Sequence, residues 1–175
     1  MFRPASRMIL TDVDDVLLDW RRGMSSHIIS TIDPDRQMIP ADLLDPEKPL
    51  EDAAISAAGL SPISHIEHFN RGTSFSSLHA HADAARVVPA LHRRGWRFIA
   101  ITAAGEGDQI TERRRKNLEA VFGPVFEDII CVGLRGKKRS ELVRHAPAVW
   151  VEDNFNNACD GADFGHLTFL FTDRL

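Results

Sequence analysis

The chain has 175 residues, of which 43% are hydrophobic, and this length and composition suit one domain with a buried core. Its formal net charge of -4 gives no electrostatic reason to expect tight binding to nucleic acid. The N-terminal stretch carries Arg3 and Arg7, and Asp12 interrupts it too early for the apolar run of a signal peptide or a membrane span. We therefore expect a globular cytoplasmic protein with no membrane partner.

The cysteines give little reason to expect a disulfide. Cys131 falls in an apolar run and Cys159 falls in a predicted helix. We expect both to be buried core thiols rather than a disulfide or a metal-binding pair, which agrees with a cytoplasmic setting.

Short apolar runs alternate with longer segments of helical periodicity along much of the chain. Strands are predicted near residues 8–13, 97–102, 127–132, 147–152 and 167–171. Helices are predicted over residues 81–94, 108–122, 138–145 and 154–162. This alternation is typical of repeated βα units, and it predicts an α/β fold with a mostly parallel sheet flanked by helices.

The first predicted strand ends in two carboxylates, Asp12 and Asp14. Where the strand breaks into a turn, both side chains can converge on one small volume. One ionised carboxylate can then attack an electrophile or bind Mg²⁺ while its neighbour transfers a proton. The same spacing also occurs in turns that merely cap a following helix. The later motifs therefore determine whether these two carboxylates are interpreted as functional.

Two further strand ends offer groups that bind phosphate. Thr102 ends the second strand and is followed by Ala103 and a glycine-rich turn, whose hydroxyl and backbone N–H groups could form a phosphate cradle. Lys137 and Lys138 follow the third strand and supply a cation. Taken singly, Thr102 is better explained as a helix cap and the lysines as a solvated loop.

The fourth strand ends at Glu152 and Asp153, which offer the hard oxygen ligands that Mg²⁺ prefers. For this pair taken alone, a helix cap is again the favoured explanation. Chemically matched residues at four strand ends favour a common site, because the carboxyl ends of parallel strands meet at one edge of the sheet.

The order Asp-x-Asp, Thr, Lys and Glu-Asp, over residues 8 to about 171, resembles the haloacid dehalogenase (HAD) superfamily. Most members are Mg²⁺-dependent phosphohydrolases. The resemblance implies a Rossmann-like, three-layer fold with five strands in the order 3-2-1-4-5. It also implies an enzyme with a Mg²⁺ cofactor and a small phosphorylated metabolite as its partner.

The resemblance also assigns the two carboxylates of the first motif. Asp12 looks like the nucleophile that becomes an aspartyl-phosphate, and Asp14 like the general acid and then the base. Asp15 stands where the family usually carries Gly or Thr. True haloacid dehalogenases lack the second carboxylate, so Asp14 resembles the phosphatase type.

The phosphate-binding groups follow from the same resemblance. Thr102 and Ala103 would hold the transferring phosphoryl group. Lys138, in preference to Lys137, would steady the nucleophile and the phosphate.

The resemblance implies a metal site on the carboxylates. Asp12, Asp153 and the main-chain carbonyl of Asp14 would bind Mg²⁺ directly, and Glu152 would support that set.

Residues 1–20 and 81–175 are expected to form the core domain, and residues 21–80 a small cap of the C1 type. Within the cap, Met24–Ile32 and Asp52–Ala58 look helical, and several prolines interrupt the path. Caps of this kind exclude water and select the leaving group. Trp20, at the entrance to the cap, is expected to pack its hinge, with ligand stacking as the alternative.

Two further sets of polar residues, a group of histidines and a basic run, allow more than one interpretation. Four histidines suit either the protein surface or a zinc site, with the surface favoured: His65, His68, His79 and His81. The basic run 113–116 lies on a predicted helix and is expected to be a solvated face.

The expected function is Mg²⁺-dependent hydrolysis of a small phosphomonoester, such as a nucleotide or a sugar phosphate, through an aspartyl-phosphate. A phosphotransferase or mutase of the same superfamily is one alternative. A non-catalytic HAD-like domain that binds a phosphorylated ligand or a protein is another. The sequence leaves the substrate and the oligomeric state open.

Overall fold

The structure is a computed structural model, and it describes residues 7–31 and 61–171. Five strands form one sheet: β1 Met8–Thr11, β2 Arg97–Thr102, β3 Phe126–Cys131, β4 Val149–Glu152 and β5 Leu167–Leu170. All paired strands run parallel, in the order β3-β2-β1-β4-β5. The predicted α/β class and strand order are confirmed, and each predicted strand lies within two residues of the observed one.

The helices of the described chain are α1 Trp20–Thr31, α2 Pro62–Arg71, α3 Ala82–Arg93, α4 Asp108–Phe122, α5 Arg139–Leu142 and α6 Phe155–Asp163, with a short 3₁₀ helix at Ser74–Ser77. The helix predicted over 138–145 is shorter than expected. Its last turn tightens, because Arg144 N–H bonds to the Glu141 carbonyl and His145 N–H to the Leu142 carbonyl, three residues back.

Both faces of the sheet are buried, which explains why its central strands are continuously apolar. Successive residues point to opposite sides, so Ile9 and Phe98 join a larger core that also takes in residues of α1 to α4. Leu10 and Ile99 join a smaller core with Leu142 of α5. Helices therefore cover the sheet on two sides, and the carboxyl ends of its strands remain the open edge.

The chain leaves and re-enters this core at one place. Asp19 N–H bonds to the His79 carbonyl, and His81 N–H bonds to the Leu17 carbonyl. The residues that flank the predicted cap thus run side by side, although the cap boundaries themselves stay a prediction. The helix predicted over Met24–Ile32 corresponds to α1, which begins four residues earlier, whereas the stretch Asp52–Ala58 lies outside the described residues.

The helix α2 is absent from the sequence-based prediction, in which Pro62 is one of the prolines that interrupt the cap. Proline is tolerated in the first turn of a helix, where its missing N–H would have no helical partner. Phe69 of α2 is fully buried in the larger core. This helix therefore packs directly against the main domain.

The cysteines depart from the expectation of two core thiols. Both are free, but Cys131 is half-buried and Cys159 is exposed on α6. Cys159 lies beside the buried Ala158 and so falls on the solvent side of this amphipathic helix. Among the described residues, no helix is long and apolar enough to cross a membrane.

Candidate active site

Asp12 lies one residue beyond β1, at the open edge of the sheet. Its N–H still bonds to the Val151 carbonyl of the neighbouring strand, which fixes its backbone in the sheet. The side chain is buried, with 6% of the residue exposed. One carboxylate oxygen accepts the Val13 N–H at 2.7 Å, and the other lies 2.6 Å from the Lys138 ammonium. Asp12 is thus a buried, oriented carboxylate with a cation beside it.

Lys138, immediately before α5, is 2% exposed and lies between two carboxylates. Its Nζ is 2.6 Å from Asp12 Oδ2 and 2.9 Å from Glu152 Oε2. Burial alone would lower the pKa of Lys138, but the charges of Asp12 and Glu152 outweigh it and raise that pKa above its ordinary value. Lys137 is exposed, so the geometry distinguishes two lysines that the sequence left as alternatives.

Glu152, at the end of β4, is fully buried and uses both carboxylate oxygens. Oε1 accepts the N–H groups of Asp153 and Asn154 at 3.1 and 3.0 Å, and Oε2 accepts Lys138. Burial and the nearby charge of Asp12 raise the pKa of Glu152. Glu152 therefore holds the turn after β4 and Lys138 in place.

The donor set fits a hard divalent cation. One carboxylate oxygen from each of Asp12, Glu152 and Asp153 lies within 4.8 Å of the others. Burial and then Asp12 raise the pKa of Asp153, as expected where carboxylates crowd together. A divalent cation would relieve that repulsion, and carboxylate oxygens are the ligands Mg²⁺ prefers.

The Asp14 side chain lies at the same open edge of the sheet, between two hydrogen-bond donors. Thr102, at the end of β2, donates its hydroxyl to Asp14 Oδ2 at 3.2 Å. Arg114 of α4 lies 2.5 Å from Oδ1 through its Nη2. Burial raises the pKa of Asp14 to about 6, although Arg114 acts to lower it. A carboxyl group with this pKa can both give and take a proton near neutral pH.

Arg114 corrects the interpretation of residues 113–116 as a solvated face. Its side chain is fully buried, and its guanidinium carbon lies 4.0 Å above the centre of the Phe75 ring. A signal for this was present in the sequence. Arg114 is four residues from both Ile110 and Leu118, which are buried, so the apolar stripe of α4 runs through the arginine.

Asp15 has a backbone conformation that glycine would adopt without strain. Its φ is +57°, in the left-handed region where Asp is tolerated better than most residues. The carboxylate accepts the Arg21 N–H at 3.1 Å and the Arg21 Nε–H at 2.7 Å. This pairing ties the turn of the first motif to α1.

Trp20 and the histidines are placed outside this group of carboxylates. Trp20 packs edge-on against Phe69, with ring centres 5.8 Å apart. His68 stacks near His27, at 5.6 Å between ring centres. In residues 7–31 and 61–171, the cluster with metal-binding geometry consists of the three carboxylates above and includes none of the four histidines considered for zinc.

The structure thus brings together six of the residues predicted from the sequence: Asp12, Asp14, Thr102, Lys138, Glu152 and Asp153. Ala103 follows Thr102 and lines a cavity beside Asp14. Lys137 is directed to solvent instead. Their roles in catalysis and binding stay predictions.

Comparison with known proteins identifies the fold. No family model matches the chain. A hydrolase from Streptococcus pneumoniae TIGR4 has a similar structure, with a TM-score of 0.68 over 96% of this chain and 94% of its own, at 15% identity. A HAD family hydrolase from Deinococcus radiodurans R1, solved with bound phosphate and sodium, gives 0.58 over 95% and 80%, at 16% identity. The chain has the HAD fold.

A haloacid dehalogenase also shares this fold. The L-2-haloacid dehalogenase from Xanthobacter autotrophicus gives a TM-score of 0.57 over 93% of this chain and 76% of its own, at 14% identity. The HAD fold alone therefore leaves the reaction open, and the residues at the strand ends have to decide it.

A curated relative comes from Enterobacteria phage T4. It is an uncharacterised 32.4 kDa protein of the Gp30–rIII intergenic region, 25% identical over 168 residues. The match covers 90% of this chain but 54% of the phage protein, so the chain spans about half the length of that relative.

Proposed function

We propose that this HAD-fold chain is a Mg²⁺-dependent phosphomonoester hydrolase that acts on a small organic phosphate through an aspartyl-phosphate. The observation that carries the proposal is Lys138 held between the Asp12 and Glu152 carboxylates, 2.6 and 2.9 Å away. A buried carboxylate with an adjacent fixed cation is suited to attack on an anionic ester. The hydrolases among the structural neighbours give independent support.

Asp12 and Asp153, with the Asp14 main-chain carbonyl, would hold the metal ion, and Glu152 would keep their turn in place. When bound, Mg²⁺ supplies positive charge that offsets the repulsion between the Asp12 carboxylate and the phosphate dianion.

In the first half of the reaction, the carboxylate of Asp12 forms a bond to phosphorus. The bond between phosphorus and the ester oxygen breaks, and Asp14 gives its proton to the departing alcohol. The Lys138 ammonium, the Thr102 hydroxyl and the backbone at Ala103 would bind the equatorial phosphoryl oxygens. The products of this half are the alcohol and the aspartyl-phosphate.

In the second half, Asp14 takes a proton from water as the water oxygen attacks phosphorus. The acyl-phosphate bond breaks, and its electron pair returns to the Asp12 carboxylate. Inorganic phosphate is released with Asp14 protonated again, so the cycle closes without any other reactant.

The environment of Asp14 favours phosphate esters over haloacids as substrates. A halide leaves without a proton, so the first step of a dehalogenase needs no general acid, whereas the alcohol that leaves a phosphomonoester does. Asp14 is instead oriented by Thr102 and Arg114, and its pKa of about 6 suits proton transfer. We therefore infer that Arg114 positions the general acid.

The experiment is release of inorganic phosphate from a panel of phosphomonoesters, with Mg²⁺ and with a chelator. Activity is expected with Mg²⁺ alone, and Asp12→Asn should abolish it. Asp83→Asn is the matched control, because that carboxylate is exposed on α3. Hydrolysis that survives in Asp12→Asn would refute Asp12 as the nucleophile.

A further inference from the structure

Asn117 of α4 is a buried polar residue outside the group of carboxylates at the open edge. Its exposed fraction is 1%. Its side-chain amide donates to the Leu78 carbonyl at 2.9 Å, and its side-chain oxygen accepts the Leu78 N–H at 3.1 Å. Both main-chain polar groups of Leu78 are therefore bonded to one side chain, which ties this residue to α4.

The gain in stability from such a buried amide is modest. Its hydrogen bonds to Leu78 replace hydrogen bonds to water, so an apolar side chain of similar size would stabilise the helix contact about as well. The amide adds direction instead, because two hydrogen bonds to one residue fix both the position and the orientation of that peptide segment. We therefore asked what this segment holds.

The segment that follows Leu78 pairs with the residues that leave the first motif. The His79 carbonyl accepts the Asp19 N–H at 2.9 Å, and His81 donates its N–H to the Leu17 carbonyl at 3.0 Å. The two stretches thus form a short antiparallel ladder. Because the ladder begins next to Leu78, α4 fixes one of its two strands.

Leu18, in the middle of the other strand of this ladder, holds the backbone around Asp14. Its carbonyl accepts the Asp15 N–H at 2.8 Å, and its own N–H bonds to the Val13 carbonyl at 2.9 Å. Asp14 itself is paired with Leu18 in an isolated bridge. The main chain on both sides of Asp14 therefore depends on the position of Leu18.

The helix α4 consequently reaches Asp14 by two routes. Arg114 lies 2.5 Å from its carboxylate, whereas Asn117, one helical turn later, acts on its backbone through the ladder. Proton transfer requires the carboxyl group within hydrogen-bond reach of the departing oxygen. An ion pair orients the carboxylate, but the main chain has to be held as well for the group to stay in that place.

We propose that Asn117 is a positioning residue: its amide fixes Leu78 and, through the ladder, the turn that carries Asp14. The inference goes beyond the proposed phosphohydrolase function, and its kinetic consequences rest on that function.

The kinetic test replaces Asn117 by Leu, which keeps the size of the side chain and removes both hydrogen bonds. We expect kcat to fall about tenfold or more for an alkyl phosphate and less than about threefold for 4-nitrophenyl phosphate, whose leaving group needs little protonation. Leu118→Ala is the matched control, because Leu118 is also buried on α4 and makes none of these hydrogen bonds. Equal losses on both substrates, or the same selective loss in Leu118→Ala, would overturn the proposal.

A double-mutant cycle with Arg114→Met tests whether the two routes meet at Asp14. Asn117→Leu should cost less kcat in the Arg114→Met background than in the wild type, because Asp14 is already displaced there. Losses that simply multiply would show that the two residues act on different groups, against the proposal.

Hydrogen exchange of the backbone amides tests the positioning without turnover. In Asn117→Leu, the amides of Asp15, Asp19 and His81 should exchange faster than they do in Leu118→Ala. If the wild-type chain hydrolyses no phosphomonoester, this result still supports the hold of Asn117 on the turn, and the proposed function alone fails. Unchanged exchange at these three amides would overturn the proposal whatever the activity.

Discussion

Replacing Arg114 by Met would test whether this buried cation positions Asp14. The variant keeps Asp14 but removes the guanidinium that lies 2.5 Å from it. Breaking a buried ion pair costs about 3–5 kcal/mol of folding stability when the remaining charge stays ionised, buried and unpaired. Here the cost is smaller, because Asp14 can take up a proton: its pKa is about 6 even with Arg114 acting to lower it, so in the variant protonation at pH 7 costs at most about 1.4 kcal/mol.

A second effect also limits the loss of stability. Within the described residues, Nε and Nη1 of Arg114 have no hydrogen-bond partner, and the substitution removes both of these buried donors. We expect a net destabilisation of about 1–2 kcal/mol, and therefore a fall in Tm of about 2–8 °C for a domain of this size. Thermal unfolding followed by circular dichroism measures it.

The catalytic effect should depend on the leaving group. General acid catalysis contributes about 10²–10⁴-fold, so misplacing Asp14 should lower kcat about 10- to 100-fold for an alkyl phosphate. The loss should be much smaller for 4-nitrophenyl phosphate, whose leaving group needs little protonation. Arg115→Met, on the adjacent half-buried residue, is the control. Equal losses on both substrates, or equal losses in the control, would refute the positioning role.

Three further outcomes follow from the same contacts. Lys138→Met should destabilise the fold by about 3–5 kcal/mol and abolish phosphate release, because it leaves two buried carboxylates without their cation, whereas Lys137→Met should match the wild type in both urea denaturation and activity. Asp15→Ala should cost about 1–2 kcal/mol in the same denaturation experiment, since alanine is strained at φ +57° and loses the ion pair, and Asp15→Gly should cost less; the reverse order would contradict this account. Burial raises the pKa of Asp14 from 3.8 to about 6, so the metal-free protein should lose about 1–3 kcal/mol of stability as the pH rises from 4 to 7, where this group is protonated at first and then ionised. Asp14→Asn should remove that part of the pH dependence, and an unchanged profile would show that another group causes it.

The sequence was sufficient to predict the sheet and the residues that meet at its open edge. Apolar runs separated by helical segments located all five strands, because a parallel sheet buried on both faces requires continuously apolar strands. The four motifs at strand ends also identified the residues that meet at the open edge. Their convergence follows from the topology of a parallel sheet, so sequence order alone was enough to predict it.

Tertiary structure decided which of several similar residues enters the site. Lys137 and Lys138 are adjacent and chemically identical, and only the orientation of the turn before α5 directs Lys138 between Asp12 and Glu152. Arg114 lay in a basic run that is typical of a solvated face, yet the packing of α4 buries it against Phe75. Composition and spacing describe a chain locally, whereas the burial of a charge depends on partners that are distant in sequence, here 100 residues away at Asp14.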